Sequence, residues 1–431
     1  MNGCGGWHRF VASLRGVWTR KLSFLMRITF LLTFACLLLL TVSINLEEDM
    51  FAGFARPLTK VVGDVEMEVI NHADHDHLTL VRDRQRNETQ LKTILMWNDA
   101  YGERLYDIGH GREPFYRYKC PETRCYATAN RSYLPNVQDF DALLIHQRSI
   151  DWDDMPAQRS PHQRYVHWLA ESAQYVYMDV SKLNHYFNWT MTYRRDSDIY
   201  LPYGRFHQIK SHPMGEELDA YIKKFGQDNR HLARNRTEFK AAWFVSHCAT
   251  QARREQYAKA MKKYMSVHIY GKCGRYQCDR KSGSKCYQEM ESNYKFYLSF
   301  ENSICNDYVT EKFFNVLKYN VIPVTFGAHN FSGIGPPHHA FISVFDYKSP
   351  KRLVAYLETL QNDDAKYAEY FWWKDFYEVR NDMADRAQSY CDLCQKLNDP
   401  KEPPKVYHDM KKWWISDSHC MKLRSSFYNQ D

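Results

Sequence analysis

The sequence predicts an α/β protein of two domains carried behind an N-terminal membrane segment. Three observations lead there. Strand-like and helix-like stretches alternate from Leu91 onward. The roughly 340 residues that follow exceed one ordinary domain. A single uncharged apolar run, Ile28 to Ile44, stands near the start.

That run, ITFLLTFACLLLLTVSI, is at the short end for a membrane span. Arg9, Arg15, Arg20, Lys21 and Arg27 precede it, and Glu47, Glu48 and Asp49 follow. The positive-inside rule makes 1–27 a cytosolic tail and 28–44 a retained anchor, with everything after it luminal. A cleaved signal peptide is the rival. The basic stretch is long for one, and no small-residue cleavage site ends the apolar run. Residues 45–90 read as a stem: Gly53, Pro57 and Gly63 interrupt a polar segment without periodicity. His72, His75 and His77 with Asp74 and Asp76 suit a solvated linker better than a metal site.

A luminal domain should carry disulfides and glycans. Five sequons follow the apolar run, at Asn87, Asn130, Asn188, Asn235 and Asn330. Ten cysteines lie on the same side: 120, 125, 248, 273, 278, 286, 305, 391, 394 and 420. An even number in an oxidising compartment favours pairing. Cys120 and Cys125 flank PETR and could close a local loop. Cys391-Asp-Leu-Cys394 has the spacing of a zinc or redox motif, but no second such pair completes a four-ligand zinc site. The net charge of +7 is modest, and no block of like charge is dense enough for nucleic acid.

Within the globular part, KTILMWN, DALLIHQ and YVHWLAES read as strands, the last ending at Glu171. They place a first α/β domain at 91–238. KAAWFVS opens a second at 239–398, followed by the helix-like QARREQYAKAMKKYM and the strand SVHIYG. Residues 399–431 remain as a C-terminal tail. The most informative stretch is Phe296 to Gly327, FYLSFENSICNDYVTEKFFNVLKYNVIPVTFG. FYLSF is a buried strand ending at Glu301 and Asn302. Asp307 and Thr310 start a helix with Glu311 and Lys312 in its first turn, and VIPVTFG is the next strand. Polar residues thus gather at the carboxyl end of a strand, where parallel sheets bind ligands. A helix start bearing a lysine suits a diphosphate.

Taken whole, this stretch resembles the donor-site signature of the α1,3-fucosyltransferases, glycosyltransferase family 10. FNWTMTYRRDSDIYLPYG (Phe187 to Gly204) and AAWFVSHCATQARREQYAKAM (Ala241 to Met261) support the resemblance, which spans residues 91–395. It implies a GT-B-like fold: two Rossmann-like domains facing across a cleft, acceptor on the first and GDP-fucose on the second. It implies an inverting enzyme of the Golgi membrane, single-pass type II, acting on N-glycans of glycoproteins. ESAQY and CDLC resemble the invertebrate branch that fucosylates the innermost GlcNAc. A Lewis-type enzyme acting on outer N-acetyllactosamine or its GalNAc analogue is the alternative, and a non-catalytic Golgi glycan-binding protein is a further one.

Fucosyl transfer needs a base for the acceptor hydroxyl and positive charge for the departing diphosphate. Glu171 is the candidate base, although Ala173 stands where the family has proline. Arg253 and Lys312 are the candidates for the diphosphate; Arg254, adjacent on a helix, is expected to point elsewhere. The resemblance also implies donor contacts from Ser246, His247 (the family has asparagine there), Glu301, Asn302, Tyr308 and Glu311. Asp196-Ser-Asp198 has the look of a metal motif from another glycosyltransferase architecture. Embedded in YRRDSDI, it reads instead as structural and acceptor-side. No metal ligand and no cofactor are therefore expected, with manganese at most stimulating turnover by binding product GDP.

Overall fold

Short, almost wholly buried strands build two parallel sheets. The computed structural model describes residues 91–429, apart from 107, 234–235, 279–283, 329–330, 332 and 336–338. All of these belong to one compact unit, Arg84–Asp431. The anchor, the stem and the sequons at Asn87, Asn235 and Asn330 lie outside the described residues. Among the described residues no helix is long and apolar enough to cross a membrane.

The first sheet contains β1 (Lys92–Met96), β2 (Cys125–Thr128), β3 (Ala142–His146), β4 (Arg164–Leu169), β5 (Trp189–Thr192) and β6 (Ile199–Tyr200). Its order is β2-β1-β3-β4-β5-β6, every pair parallel. Strands covered on both faces need apolar side chains at every position, not at alternate ones. ALLIH in β3 and CYAT in β2 come close to that demand: every residue is buried, and only the last of each, His146 and Thr128, is strongly polar. The chain then passes through β7 (Arg205–Gln208) into the second sheet. This comprises β8 (Lys240–Phe244), β9 (Ser266–Tyr270), β10 (Phe296–Phe300), β11 (Ile322–Phe326) and β12 (Ile342–Ser343). Its order is β12-β11-β10-β8-β9, again parallel throughout. β13 (Tyr377–Arg380) returns to pair antiparallel with β7. The expected α/β architecture of two parallel-sheet lobes is present. Each sheet reverses its strand order internally, which opens a crevice at the carboxyl ends of its strands.

The boundary drawn at residue 398 needs correction. The helix Met383–Asn398 does not pack on the second sheet. Its Ala387, Tyr390, Leu393 and both cysteines enter the core of the first, beside Ile94, Ala127 and Trp168. Two disulfides hold it there, Cys120–Cys391 and Cys125–Cys394. The local loop across PETR is therefore not formed, and each cysteine of CDLC pairs with a different, distant partner. The C-terminal segment also returns to the first lobe. Trp414, Met410 and Tyr407 pack with Phe187, Tyr193 and Tyr308. Three more disulfides are Cys248–Cys273, Cys278–Cys286 and Cys305–Cys420.

Candidate active site

The loop after β4 carries Glu171, and two hydrogen bonds fix its course. Tyr203 donates its hydroxyl to the Ala170 carbonyl at 2.8 Å. The Ser172 hydroxyl meets that of Ser303 at 2.5 Å, both side chains fully buried. Ser303 lies just beyond β10, so this contact joins the two lobes. Beside it opens a cavity of about 830 Å³. Glu171 lines it from the first lobe. Ser246, His247, Arg254, Asn302, Glu311 and Lys312 line it from the second.

The helix Glu311–Leu317 supplies the charged wall. Thr310 caps it, its hydroxyl accepting from the Lys312 backbone. Phe313, Phe314, Val316 and Leu317 are buried, which turns Glu311 and Lys312 toward the cavity. The Lys312 ammonium lies 3.0 Å from Glu311 Oε1 and 2.8 Å from Thr310 Oγ1. Burial depresses the lysine, but the Glu301 and Glu311 carboxylates more than offset this and raise its pKa. Burial likewise pushes Glu311 up, yet the Lys312 charge and its hydrogen bond win and hold it low. Both groups are therefore charged at neutral pH.

Three expectations change. Glu301 does not line the cavity. It is buried under Thr310, accepting from that residue's N–H and hydroxyl, both at 2.8 Å, and pairing with Lys312 at 3.1 Å. Gly327 allows this, since a Cβ there would strike Glu301 Cγ at 2.7 Å. Burial raises the Glu301 pKa against the Lys312 charge. Tyr308 is likewise buried outside the lining, and its hydroxyl donates to Glu171 Oε2 at 3.2 Å. Arg253 is exposed, in a left-handed turn at φ 53°, just before the helix Arg254–Met261.

Arg254 takes the place on the cavity wall that the sequence reading gave to Arg253. It is buried, and its guanidinium donates to the Phe300 carbonyl at 2.5 Å and the His247 carbonyl at 3.1 Å. Its Nε has no protein partner. A signal for this was present. Arg254, Tyr257, Ala258 and Met261 recur at helical spacing and share one buried face. Sequence reasoning also missed Tyr270 and Asn315, which line the cavity as well. Asn302 also lines it, with a buried Oδ1 that has no protein partner.

Asp196 and Asp198 do not converge. Asp196 accepts from Arg194 Nε at 2.8 Å, while Asp198 takes Lys405 at 2.5 Å and Tyr407 at 2.7 Å. Asp198 also accepts from the Thr190 N–H at 3.0 Å. These carboxylates fasten the YRRDSDI turn and the C-terminal segment. Of the two described sequon asparagines, Asn130 is exposed and its Oδ1 accepts from the Ser132 N–H. Asn188 is half-buried and donates to the Lys405 carbonyl at 2.8 Å.

Two family models match the chain. The fucosyltransferase N-terminal model covers residues 89–204, and the C-terminal model of glycosyltransferase family 10 (fucosyltransferase) covers 233–413. Alpha-(1,3)-fucosyltransferase C of Drosophila melanogaster is 34% identical over 358 residues, 79% of this chain and 81% of the relative. Glycoprotein 3-alpha-L-fucosyltransferase A of the same fly is 34% identical over 339 residues, 78% and 62%. The human 4-galactosyl-N-acetylglucosaminide 3-alpha-L-fucosyltransferase FUT6 is 33% identical over 282 residues, 64% and 71%. A crystal structure of an alpha1,3-fucosyltransferase with GDP-fucose aligns at TM-score 0.46 and 14% identity, over 75% of this chain and 94% of that one. Fold, site and matches together define a glycosyltransferase. The chain belongs to glycosyltransferase family 10, the fucosyltransferases.

Proposed function

We propose that this enzyme is an inverting α1,3-fucosyltransferase that moves fucose from GDP-fucose to GlcNAc of N-glycans, with the innermost core GlcNAc as acceptor. The observation that carries it is the single cavity shared by Glu171 of one lobe and Arg254, Glu311 and Lys312 of the other. Glu171 takes the proton of the acceptor hydroxyl as that oxygen bonds to the fucose anomeric carbon. The bond from that carbon to the diphosphate breaks on the opposite face, and GDP leaves with the electron pair. Arg254 and Lys312 receive the developing negative charge. Glu311 and Asn302 accept hydrogen bonds from donor hydroxyls. Ser246 and His247, on the loop after β8, serve the nucleotide.

Leaving-group charge met by side chains makes metal unnecessary for the chemistry. Manganese then acts only by binding released GDP. The core acceptor is supported by ESAQY and CDLC and by the relative named as a glycoprotein fucosyltransferase. The match to the human 4-galactosyl-N-acetylglucosaminide enzyme supports the Lewis-type alternative. Linkage analysis after reaction with core and antennary glycans separates them. In the cell, the enzyme is a single-pass type II Golgi membrane protein anchored by residues 28–44, with its catalytic lobes luminal. Intact microsomes should protect those lobes from added protease, and digestion without detergent would overturn this topology.

A further inference from the structure

The contact of Tyr308 with Glu171 crosses the boundary between the lobes. Tyr308 belongs to the second lobe's approach to the helix Glu311–Leu317, whereas Glu171 follows β4 in the first. The tyrosine is fully buried, its ring packed edge-on against Tyr193 with centroids 4.9 Å apart. Its setting is held from several directions. The Cys305–Cys420 disulfide ties the preceding loop to the C-terminal segment, and the Asn306 N–H donates to the Ser418 carbonyl at 2.9 Å. Arg195 pairs with Asp307 at 3.1 Å. The Ser172–Ser303 contact pins the residue after Glu171 to the same approach segment.

We infer that Tyr308 is a positioning residue: from the donor lobe its hydroxyl orients the Glu171 carboxylate, with the Ser172–Ser303 contact fixing the loop. This rests on Glu171 being the base. Burial raises the Tyr308 phenol well above its ordinary range, so the hydroxyl stays protonated and remains a donor throughout the working pH. A donor to a carboxylate favours its charged state. The other groups facing Glu171 are the phenols of Tyr101, Tyr175 and Tyr203. Arg148 acts on Tyr101, and Arg254, Glu311 and Lys312 face the shared cavity. Of the phenols, Tyr308 alone belongs to the donor lobe. One hydrogen bond therefore ties the placement of the base to the segment that positions the donor cations.

The test is the pH dependence of kcat in the full chain, for wild type, Tyr308→Phe, Ser303→Ala and Glu171→Gln, with GDP affinity measured by calorimetry. Tyr308→Phe should move the acidic limb to higher pH and lower kcat roughly tenfold, with GDP affinity and donor KM near wild type. Ser303→Ala should lower kcat several-fold with little change in donor KM. Glu171→Gln should abolish the limb. If the limb vanishes in Glu171→Gln but Tyr308→Phe keeps the wild-type limb and kcat, the positioning role is wrong and the base assignment stands. A limb that survives in Glu171→Gln overturns both. A Tyr308→Phe enzyme that loses GDP binding would make Tyr308 a donor-site residue and overturn the inference.

Discussion

Lys312 sits between two carboxylates, 3.1 Å from buried Glu301 and 3.0 Å from partly exposed Glu311. The buried partner fixes the ammonium from below, and the exposed one shares the cavity with it. Removing Lys312 should therefore act twice. Lys312→Ala should lose about 2–4 kcal/mol of transition-state stabilisation, read as kcat/KM for GDP-fucose. It should also lower the melting temperature, because Glu301 would be left buried without its cation. Lys312→Arg should not restore full activity, since a planar fork does not fit a seat shaped for a point charge. Wild-type kinetics in Lys312→Ala would remove it from the site.

Arg253 and Arg254 should behave oppositely. Arg254→Ala should cost kcat/KM a hundredfold or more, the scale of a lost charge-assisted contact at developing charge. Arg253→Ala, at an exposed position, should stay within about threefold of wild type. Steady-state kinetics with GDP-fucose decide between them.

The DSD turn should be a stability element. Asp198→Asn should weaken the hold on Lys405 and Tyr407 and lower thermal stability by about 1–3 kcal/mol. Activity in wild type should largely survive EDTA. Complete loss in EDTA with recovery on manganese would turn Asp196 and Asp198 back into candidate ligands.

Two buried histidines should make the protein acid-sensitive. Burial lowers His146 to about 4 and His167 to about 3, from an ordinary 6.5. As pH falls below the ordinary value, the unfolded chain binds protons that the folded chain refuses. Stability is thus full above about pH 7 and is lost as pH drops toward 4 and then 3, at roughly 1.4 kcal/mol per unit and proton. Denaturant titrations across this range should show a shallower loss in His167→Gln. An identical slope would exclude His167 as a contributor.

Non-reducing peptide mapping should recover Cys120 with Cys391 and Cys125 with Cys394. Replacing Cys391 and Cys394 by serine should destabilise the first lobe by about 2–5 kcal/mol per bridge. A recovered Cys120–Cys125 peptide would contradict the packing of the helix Met383–Asn398.

Much of this was legible in the sequence. The strands β3, β10 and β11 are short, mostly apolar runs buried at every position, as strands covered on both faces tend to be, and β1, β4 and β8 are buried except at their ends. The helix start at Thr310 followed from capping chemistry. The short strand β2 was not seen, because four residues carry no period. The segment 383–398 follows the second domain directly in sequence, and nothing in its residues says that it packs against the first sheet. Glu301 and Tyr308 were placed near the site but not beneath its surface, since a motif gives proximity and not direction. Arg253 stands where the resembled family has its diphosphate arginine and reads as the opening of the helix. The helix begins at Arg254 instead, which puts that residue on the buried face.

The most direct test is transfer itself. The purified full chain and Glu171→Gln are each incubated with GDP-fucose and a panel of core and antennary N-glycans, with product linkage determined and GDP binding measured in parallel. The account predicts α1,3-linked fucose on the innermost GlcNAc from wild type. It predicts a loss of roughly a hundredfold or more in Glu171→Gln with GDP binding intact. A Glu171→Gln enzyme that binds GDP and transfers fucose near the wild-type rate would contradict it.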